Sequence, residues 1–244
     1  MALLELEHVT KRFGGLVATS DVSFSVHENE IAFIVGPNGA GKTTLFNLIS
    51  AVFHPDSGAL RFEGRDLTRI APYQAARLGI GRTFQLVKPL RNLSVLENVM
   101  LGAFLHTSST GKAADEARRV LRYLQLEKSA HLPAHGLPLA VLKRLEIARA
   151  LATRPRLILL DEVMSGLSTG EALGLAEMLK QLPSWGISAV GGVEHVMQVV
   201  MSIASRVLVL DHGTLIAEGA PAQVVHQPQV IEAYLGSKYK ELGL

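Results

Sequence analysis

Residues 36–43 read GPNGAGKT and match the pattern G-x-x-x-x-G-K-[ST] at every fixed position. Small residues in such a loop allow backbone N–H groups to surround phosphate oxygens, a lysine adds positive charge, and a hydroxyl binds magnesium. A strand-like apolar run precedes the loop and a helical pattern follows it, which disfavours an ordinary glycine-rich turn. The sequence predicts a phosphate loop, with Thr43 as a magnesium ligand, formed by Gly36, Pro37, Asn38, Gly39, Ala40, Gly41, Lys42, Thr43 and Thr44.

An acidic pair further along the chain supplies the second half of such a site. Asp161 follows the apolar run 157–160, and Glu162 is the next residue. At the end of a buried strand, Asp161 is placed to hold magnesium through water, and Glu162 can orient and polarise the attacking water. Acidic residues at strand ends often only face solvent or cap the next helix, but the phosphate loop favours the functional interpretation. Together the two motifs predict binding and hydrolysis of a magnesium nucleotide.

The hydrophobic pattern before and after the phosphate loop predicts the elements that position it. Alternating apolar residues within 3–26 predict two antiparallel strands. Residues 31–35 predict a buried strand, and a helical pattern runs from Lys42 to about Ala51. The loop is therefore expected between a buried strand and a helix, the context that phosphate binding requires.

The rest of the chain continues as alternating strands and helices. The pattern from Pro72 to about Leu126 is mostly helical, with a polar hinge at 106–112. The other predicted elements are strands near 59–64, 157–161, 187–193, 206–210 and 214–218, and helices near 170–182 and 195–204. This order predicts an α/β fold in a single domain over residues 1–244.

Composition narrows the class of protein. The 244 residues are 48% hydrophobic and 19% charged, which suffices for the core of one folded domain. The longest apolar runs are strand-sized, so no membrane-spanning helix is predicted, and the opening MALLELEHVT lacks the basic start of a signal peptide. The absence of cysteine excludes disulfides and thiolate metal sites. A formal net charge of +2 with scattered Lys and Arg predicts no nucleic-acid partner.

Five motifs in order along the chain resemble those of an ATP-binding-cassette (ABC) ATPase. They are KRFGG at 11–15, GIGRTFQ at 79–85, KRLEIARAL at 143–151, LDEVMSGLS at 160–168 and VEHVM at 193–197. Within that superfamily, GIGRTFQ and the ending VIEAYLG resemble the ATP-binding subunit of branched-chain amino-acid importers. The resemblance implies an α/β P-loop NTPase with a mixed core sheet, an N-terminal antiparallel β-subdomain, a helical subdomain at about 86–155 and a C-terminal helical tail at about 220–244.

The same resemblance implies the cofactors ATP and Mg²⁺ and roles for three further residues. Phe13 matches the aromatic residue that stacks on adenine, although a Phe in a strand hairpin can also be a core residue. Gln85 matches the residue whose amide reaches magnesium and the attacking water, and the loop that follows it is implied to meet the membrane subunit. His195 matches the histidine that hydrogen-bonds the γ-phosphate, although a lone histidine is more often structural. The expected catalytic residues are therefore Glu162, His195 and Gln85.

Two other motifs depart from the pattern of the family. Where relatives carry L-S-G-G-Q or L-P-Y-G-Q, this chain has a signature segment made of Leu137, Pro138, Leu139, Ala140 and Val141. The usual glycine exposes backbone N–H groups at a helix N-terminus to a γ-phosphate, so the change is expected to cost roughly 1–4 kcal/mol if one or two phosphate hydrogen bonds are lost. The D-loop, made of Ser165, Gly166, Leu167 and Ser168, ends in serine where aspartate is expected, and Val163 replaces a proline.

The resemblance also implies the partners. In the head-to-tail dimer of the family, each ATP lies between one subunit's phosphate loop and the other subunit's signature. An intact loop beside an altered signature therefore favours a heterodimer with a second ABC ATPase subunit, and the isolated chain is expected to have low activity. The implied assembly lies peripherally on the cytoplasmic face of the inner or plasma membrane. It contains polytopic permease subunits and, indirectly, a periplasmic or extracellular solute-binding protein for branched-chain amino acids or related small polar solutes.

Two alternatives to a transport ATPase stay open from the sequence. One is a non-transport cassette protein acting in translation or DNA repair, although neither a second cassette nor a coiled-coil insertion is visible. The other is a regulatory subunit with low turnover, which the altered signature segment favours. Co-purification with a polytopic membrane protein separates transport from the first alternative, and turnover separates it from the second.

Overall fold

The computed structural model describes residues 2–84, 88–193 and 201–241, and its strands form two sheets. The strands are β1 (Ala2–Phe13), β2 (Leu16–His27), β3 (Ile31–Val35), β4 (Ser57–Phe62), β5 (Arg65–Asp66), β6 (Ile80–Arg82), β7 (Leu157–Asp161), β8 (Ser188–Val193), β9 (Arg206–Asp211) and β10 (Thr214–Gly219). The central sheet has the order β10-β9-β3-β8-β7-β6 and is parallel except for the β9–β10 hairpin. The second sheet is antiparallel, with the order β2-β1-β4-β5.

One helix follows the phosphate loop, five lie between later strands, and two follow the last described strand. They are α1 (Lys42–Ile49), α2 (Pro72–Leu78), α3 (Val95–Ala103), α4 (Thr110–Tyr123), α5 (Leu139–Leu151), α6 (Thr169–Leu179), α7 (Pro221–Val224) and α8 (Pro228–Glu241). The N-cap of α3 is Ser94, which forms a capping box with Glu97. Ser109 caps α4 by accepting a hydrogen bond from the N–H of Lys112, so the polar hinge of the sequence supplies the start of that helix. No helix in the described part of the chain is long and apolar enough to cross a membrane.

Apolar side chains pack on both faces of the central sheet. In β3, Ile31, Phe33 and Val35 belong to one core, whereas Ala32 and Ile34 belong to the other, because alternate residues of a strand face opposite sides. The first core continues into helices α3 to α6. The second core contains the apolar face of α1 and the antiparallel sheet. The helix that follows the phosphate loop is therefore fixed by packing on its whole inner face.

The architecture confirms the predicted fold class, with a mixed core sheet and a separate antiparallel sheet. The strands predicted near 157–161, 187–193, 206–210 and 214–218 are present as β7 to β10. The helix predicted near 195–204 lies largely outside the described residues.

The mostly helical pattern predicted between Pro72 and Leu126 is present as α2, α3 and α4, but the prediction did not include one short strand. Residues 80–82 form strand β6, which pairs in parallel with β7. Three residues are too few to show the period of a strand, and the pairing partner is distant in sequence. The backbone is also closely packed here, because a Cβ on Gly81 would lie 3.0 Å from the side chain of Pro155. Tertiary packing, rather than local pattern, places this strand in the sheet.

Candidate nucleotide-binding site

The carboxyl ends of three parallel strands bring the predicted site residues to one edge of the central sheet. Strand β8 lies between β3 and β7, with Val35 opposite Val193 and Asp161 opposite Gly192. The phosphate loop follows β3, and Asp161 ends β7. Because neighbouring strands are about 4.8 Å apart, the loop and the acidic pair leave the sheet about 10 Å from one another. Parallel α/β sheets bind ligands at this edge.

Lys42 is held inside the phosphate loop by the loop's own backbone. Its side chain is buried, and Nζ donates hydrogen bonds to the carbonyl oxygens of Gly36 at 2.7 Å and Pro37 at 3.0 Å. Helix α1 begins after Gly41, and Thr43 is exposed in its first turn. The N–H groups of a first helical turn have no intrahelical acceptor, so they can bind an anion. The loop thus presents backbone donors and a hydroxyl around a fixed positive charge.

Two glycines of the phosphate loop lie against backbone of other elements. A Cβ on Gly36 would lie 2.1 Å from the carbonyl oxygen of Leu210, and a Cβ on Gly41 would lie 2.4 Å from that of Ala18. Gly41 also has a φ of 102°, which is unfavourable for residues with a Cβ. These positions require glycine because the loop packs directly onto neighbouring backbone.

Asp161 is buried and ion-paired. The residue is 5% exposed, and its Oδ2 accepts a hydrogen bond from Nη2 of Arg82 at 3.1 Å. The N–H of Asp161 donates to Oγ1 of Thr83 at 3.0 Å. A carboxylate has about four lone-pair sites, so the contact with Arg82 leaves acceptor capacity for a metal or its water. The strand ends of β6 and β7 therefore fix Asp161 from two sides.

Arg82 is a site residue that sequence reasoning missed. Its Nη1 donates to Oδ1 of Asn47 at 2.7 Å and to Oγ of Ser50 at 2.8 Å, and both residues belong to the end of α1. One buried guanidinium thus joins the helix of the phosphate loop to the carboxylate of Asp161. The available signal was a pair of polar residues, Arg82 and Thr83, directly before Phe84 and Gln85 in the GIGRTFQ motif.

Glu162 begins a tight turn directly after β7. Its φ of 48° lies in the left-handed region, which is unusual for a residue other than glycine. The N–H of Glu162 donates to the carbonyl oxygen of Gly192 at 3.1 Å. Its carbonyl oxygen accepts hydrogen bonds from the N–H of Ser165 at 3.1 Å and from Nζ of Lys143 at 3.0 Å. Backbone contacts on both sides of the peptide therefore hold the orientation of this residue.

Phe13 is not a core residue. It ends β1, is 42% exposed, and its ring contacts that of Phe53 edge to face with centroids 5.2 Å apart. The ammonium of Lys11 lies 5.5 Å from the centre of the same ring. An exposed, laterally supported ring can stack on a planar base.

The donor set fits magnesium bound to a nucleotide. The hydroxyl of Thr43 and the carboxylate of Asp161 are oxygen donors, which magnesium prefers alongside phosphate oxygens and water. Buried Asp161 is held rigidly, whereas exposed Thr43 is open to a ligand. Gln85, the third predicted metal ligand, and His195 lie outside the described residues.

The signature segment forms the uncapped start of α5. Pro138 is the N-cap residue and provides no side-chain hydrogen bond to the helix. Leu137 and Val141 pack against the hydrophobic core, and Leu139 is 43% exposed. Ala140 is partly buried in the first turn. The segment therefore presents apolar side chains where the family pattern has glycine and polar groups.

The serine that ends the D-loop has a local structural role. Ser168 is the N-cap of α6 and forms a capping box with Glu171. Its N–H and Oγ both donate to Oε2 of Glu171, at 2.9 and 2.7 Å. Val163 and Met164 of the preceding turn are buried in the core. The departures at 163 and 168 are thus accommodated by packing and helix capping.

A cleft of 360 Å³ lies between the end of α1, strand β6 and helices α2, α3 and α5. Its lining includes Val52, Phe84 and Leu101, which are 45%, 55% and 45% exposed. Arg149 also lines the cleft, and its Nη1 donates to the carbonyl oxygen of Lys88 at 3.1 Å. That bond ties the backbone at Lys88 to helix α5. The cleft combines exposed apolar side chains with residues adjoining the nucleotide site.

Comparisons with known proteins identify the family. Residues 19–165 match the family described as ABC transporter, and residues 214–240 match the family described as branched-chain amino acid ATP-binding cassette transporter. The high-affinity branched-chain amino acid transport ATP-binding protein BraF of Pseudomonas aeruginosa is 34% identical, covering 96% of this chain and 98% of the relative. The high-affinity branched-chain amino acid transport ATP-binding protein LivG of Escherichia coli is 36% identical, covering 96% of this chain and 98% of the relative.

Solved structures agree with the sequence comparisons. The ADP conformation of an ATP-binding cassette of an ABC transporter superposes with a TM-score of 0.88 at 32% identity, covering 97% of this chain and 99% of that one. A dimeric cassette in a post-hydrolysis state, bound to ADP and Pi, has a TM-score of 0.80 at 26% identity, covering 89% and 98%. The resemblance drawn from the five motifs is confirmed. The chain belongs to the ABC transporter family, among the branched-chain amino acid transport ATP-binding proteins.

Proposed function

We propose that this chain is the ATP-hydrolysing subunit of an importer for branched-chain amino acids or related small polar solutes. The observation that carries the proposal is the convergence of the phosphate loop and the acidic pair at one edge of the central sheet. The names of the relatives supply the solute class. The assembly is expected to lie on the cytoplasmic face of the inner or plasma membrane, with this chain bound peripherally.

Each residue of the site has a role in this proposal. Phe13 stacks on adenine, and the backbone of residues 36–44 binds the phosphates, with Lys42 neutralising their charge. Thr43 and Asp161 would hold magnesium, which supplies charge neutralisation during phosphoryl transfer. Glu162 orients and polarises the attacking water. By family resemblance, Gln85 and His195 complete the catalytic and metal-binding set.

We also propose that the chain works in a heterodimer. A dimeric relative is known in a state with ADP and Pi. In a head-to-tail dimer, the phosphate loop of this chain would be completed by a partner's signature. The signature segment of this chain has Ala140 and Val141 where the family pattern has glycine and glutamine, and the added methyl and the lost polar amide weaken binding of the partner's ATP. The site on this chain's phosphate loop would then be the active one. A regulatory subunit with low turnover is the second candidate, favoured by the same apolar segment.

The membrane permease is proposed to dock in the cleft between the helical part of the chain, about 86–155, and the sheet. The exposed apolar residues Val52, Phe84 and Leu101 suit the apolar side of a permease helix. The cleft also contains Arg82, which contacts Asp161, so docking would be sensed beside the nucleotide site.

Docking predicts that a charge in the cleft releases the chain from membranes. Leu101→Glu is expected to lower the amount of chain retained on vesicles from cells that express the whole transport operon by about tenfold, because a carboxylate would be buried against apolar surface. Co-sedimentation with quantitative immunodetection measures the retained fraction. Leu132→Glu is the matched control, since Leu132 is 48% exposed and does not line the cleft. Equal retention of both variants would contradict docking at this surface.

A further inference from the structure

Lys143 is a buried charge in the helix that carries the signature segment. It lies one turn into α5, two residues after Val141, and is 4% exposed. Its Nζ donates a hydrogen bond to the carbonyl oxygen of Glu162 at 3.0 Å. Burying an ammonium group costs free energy unless the group is hydrogen-bonded or paired with a charge, and this hydrogen bond offsets part of that cost.

Burial and nearby carboxylates act in opposite directions on Lys143. Burial lowers the pKa of Lys143, and the carboxylates of Glu162, Glu146 and Asp161 oppose that effect. The ammonium thus lies near both members of the acidic pair of the nucleotide site. A charged donor makes a stronger hydrogen bond to a carbonyl than a neutral donor does.

The acceptor of this bond is an unusual peptide. The left-handed φ of 48° at Glu162 is unfavourable for a residue with a Cβ and persists only where surrounding contacts impose it. One of those contacts, with Ser165, is a backbone hydrogen bond within the turn, and a second joins the N–H of Glu162 to Gly192 in β8. Lys143 adds a side-chain donor from a further element, α5.

A second contact joins the same two segments. A Cβ added to Gly166 in the D-loop would lie 3.0 Å from Cδ2 of Leu139 in the signature segment. Gly166 has a φ of 79°, so the D-loop here is in a conformation that favours glycine. Helix α5 therefore contacts the turn that begins at Glu162 through Lys143, and it contacts the D-loop through Leu139.

We infer that Lys143 is a positioning residue that holds the turn of Glu162 in its left-handed conformation and couples this turn to the signature helix of the same chain. The inference rests on the proposed role of Glu162 in activating water. Helix α5 then serves its own nucleotide site as well as a partner's. The signature segment can therefore differ from the family pattern while the rest of α5 keeps its role at the chain's own nucleotide site.

Lys143→Met tests the inference because methionine replaces the unbranched chain of lysine up to Cε and removes the donor. In the full-length chain, kcat for Mg-ATP is expected to fall by about 10- to 100-fold, corresponding to one charged hydrogen bond. The Kd for a fluorescent ATP analogue is expected to change by less than about twofold, since Lys143 does not contact the phosphate loop. Lys143→Arg, which restores a charged donor, is expected to return kcat to within about threefold of the parent.

A measurement that needs no turnover separates this inference from the proposed function. In the nucleotide-free chain, amide hydrogen exchange of residues 161–165 is expected to be about tenfold faster in Lys143→Met, and not in the exposed control Lys128→Met. Unchanged exchange in this segment would overturn the inference even if the parent hydrolyses no ATP. Faster exchange with an unchanged kcat in a hydrolysing parent would overturn it as well. If Lys143→Met does not fold, Lys143→Gln replaces it, since the shorter amide cannot span the same distance and carries no charge.

Discussion

Glu162→Gln is expected to lower steady-state Mg-ATP hydrolysis by about 100-fold or more while the affinity for ATP stays within about twofold. Glutamine has the same shape but cannot accept a proton from water or bear the negative charge that polarises it. The phosphate loop, Lys42 and Thr43 are unaffected by the change, so ground-state binding should be preserved. A loss of rate without a loss of binding is expected when the altered group acts in the transition state.

Phosphate release in saturating Mg-ATP and binding of a fluorescent ATP analogue are the two measurements for Glu162→Gln. Lys42→Ala provides the contrast, because removing the ammonium is expected to weaken binding as well as hydrolysis. A Glu162→Gln chain that retains more than about a third of the parent rate would contradict the role of Glu162.

Arg82→Met is expected to destabilise the chain by about 3–5 kcal/mol. The guanidinium is 8% exposed and its partner Asp161 is 7% exposed at the side chain, so the variant leaves a buried carboxylate without its cation. The hydrogen bonds from Arg82 to Asn47 and Ser50 are lost in the same change. Because these contacts join α1, β6 and β7 around the nucleotide site, their loss should lower the free energy of unfolding of the whole domain.

Urea denaturation followed by circular dichroism measures this loss for Arg82→Met. The matched control is Arg156→Met, whose side chain is 50% exposed although it ion-pairs with Glu28 and Glu63. Surface pairs contribute at most about 1 kcal/mol, so the control should remain near the parent stability. Equal destabilisation of the two variants would mean that the buried network around Asp161 does not stabilise the fold.

Motifs with a local backbone requirement could be predicted from the sequence. The phosphate loop needs glycine at 36 and 41 and a lysine at 42, and the structure places both glycines between a buried strand and a helix and Lys42 in the first turn of that helix. Asp161 was predicted as the end of an apolar strand, and β7 ends there. Such signals lie within short segments, so they can be recognised without knowledge of the tertiary fold.

Features that depend on distant segments could not be predicted. Strand β6 exists because it pairs with β7, about 75 residues later in the sequence. Arg82 contacts Asn47 and Asp161, and nothing in the local pattern around residue 82 identifies either partner. The contact between Lys143 and Glu162 likewise depends on how α5 packs near the end of β7. Only three-dimensional packing assigns these charged side chains to the site.

The most direct test of the central claim is steady-state Mg-ATP hydrolysis by the purified chain beside a variant with Ala140→Gly and Val141→Gln. The repaired signature restores a close-approaching backbone N–H and a polar amide, so its homodimer is expected to hydrolyse ATP about tenfold or more faster, and the gain should disappear with Glu162→Gln. That result would mean that the parent chain has a competent phosphate loop and acidic pair and depends on a partner's signature. Equal rates for the parent and the repaired variant would contradict this account and make the homodimer a competent ATPase.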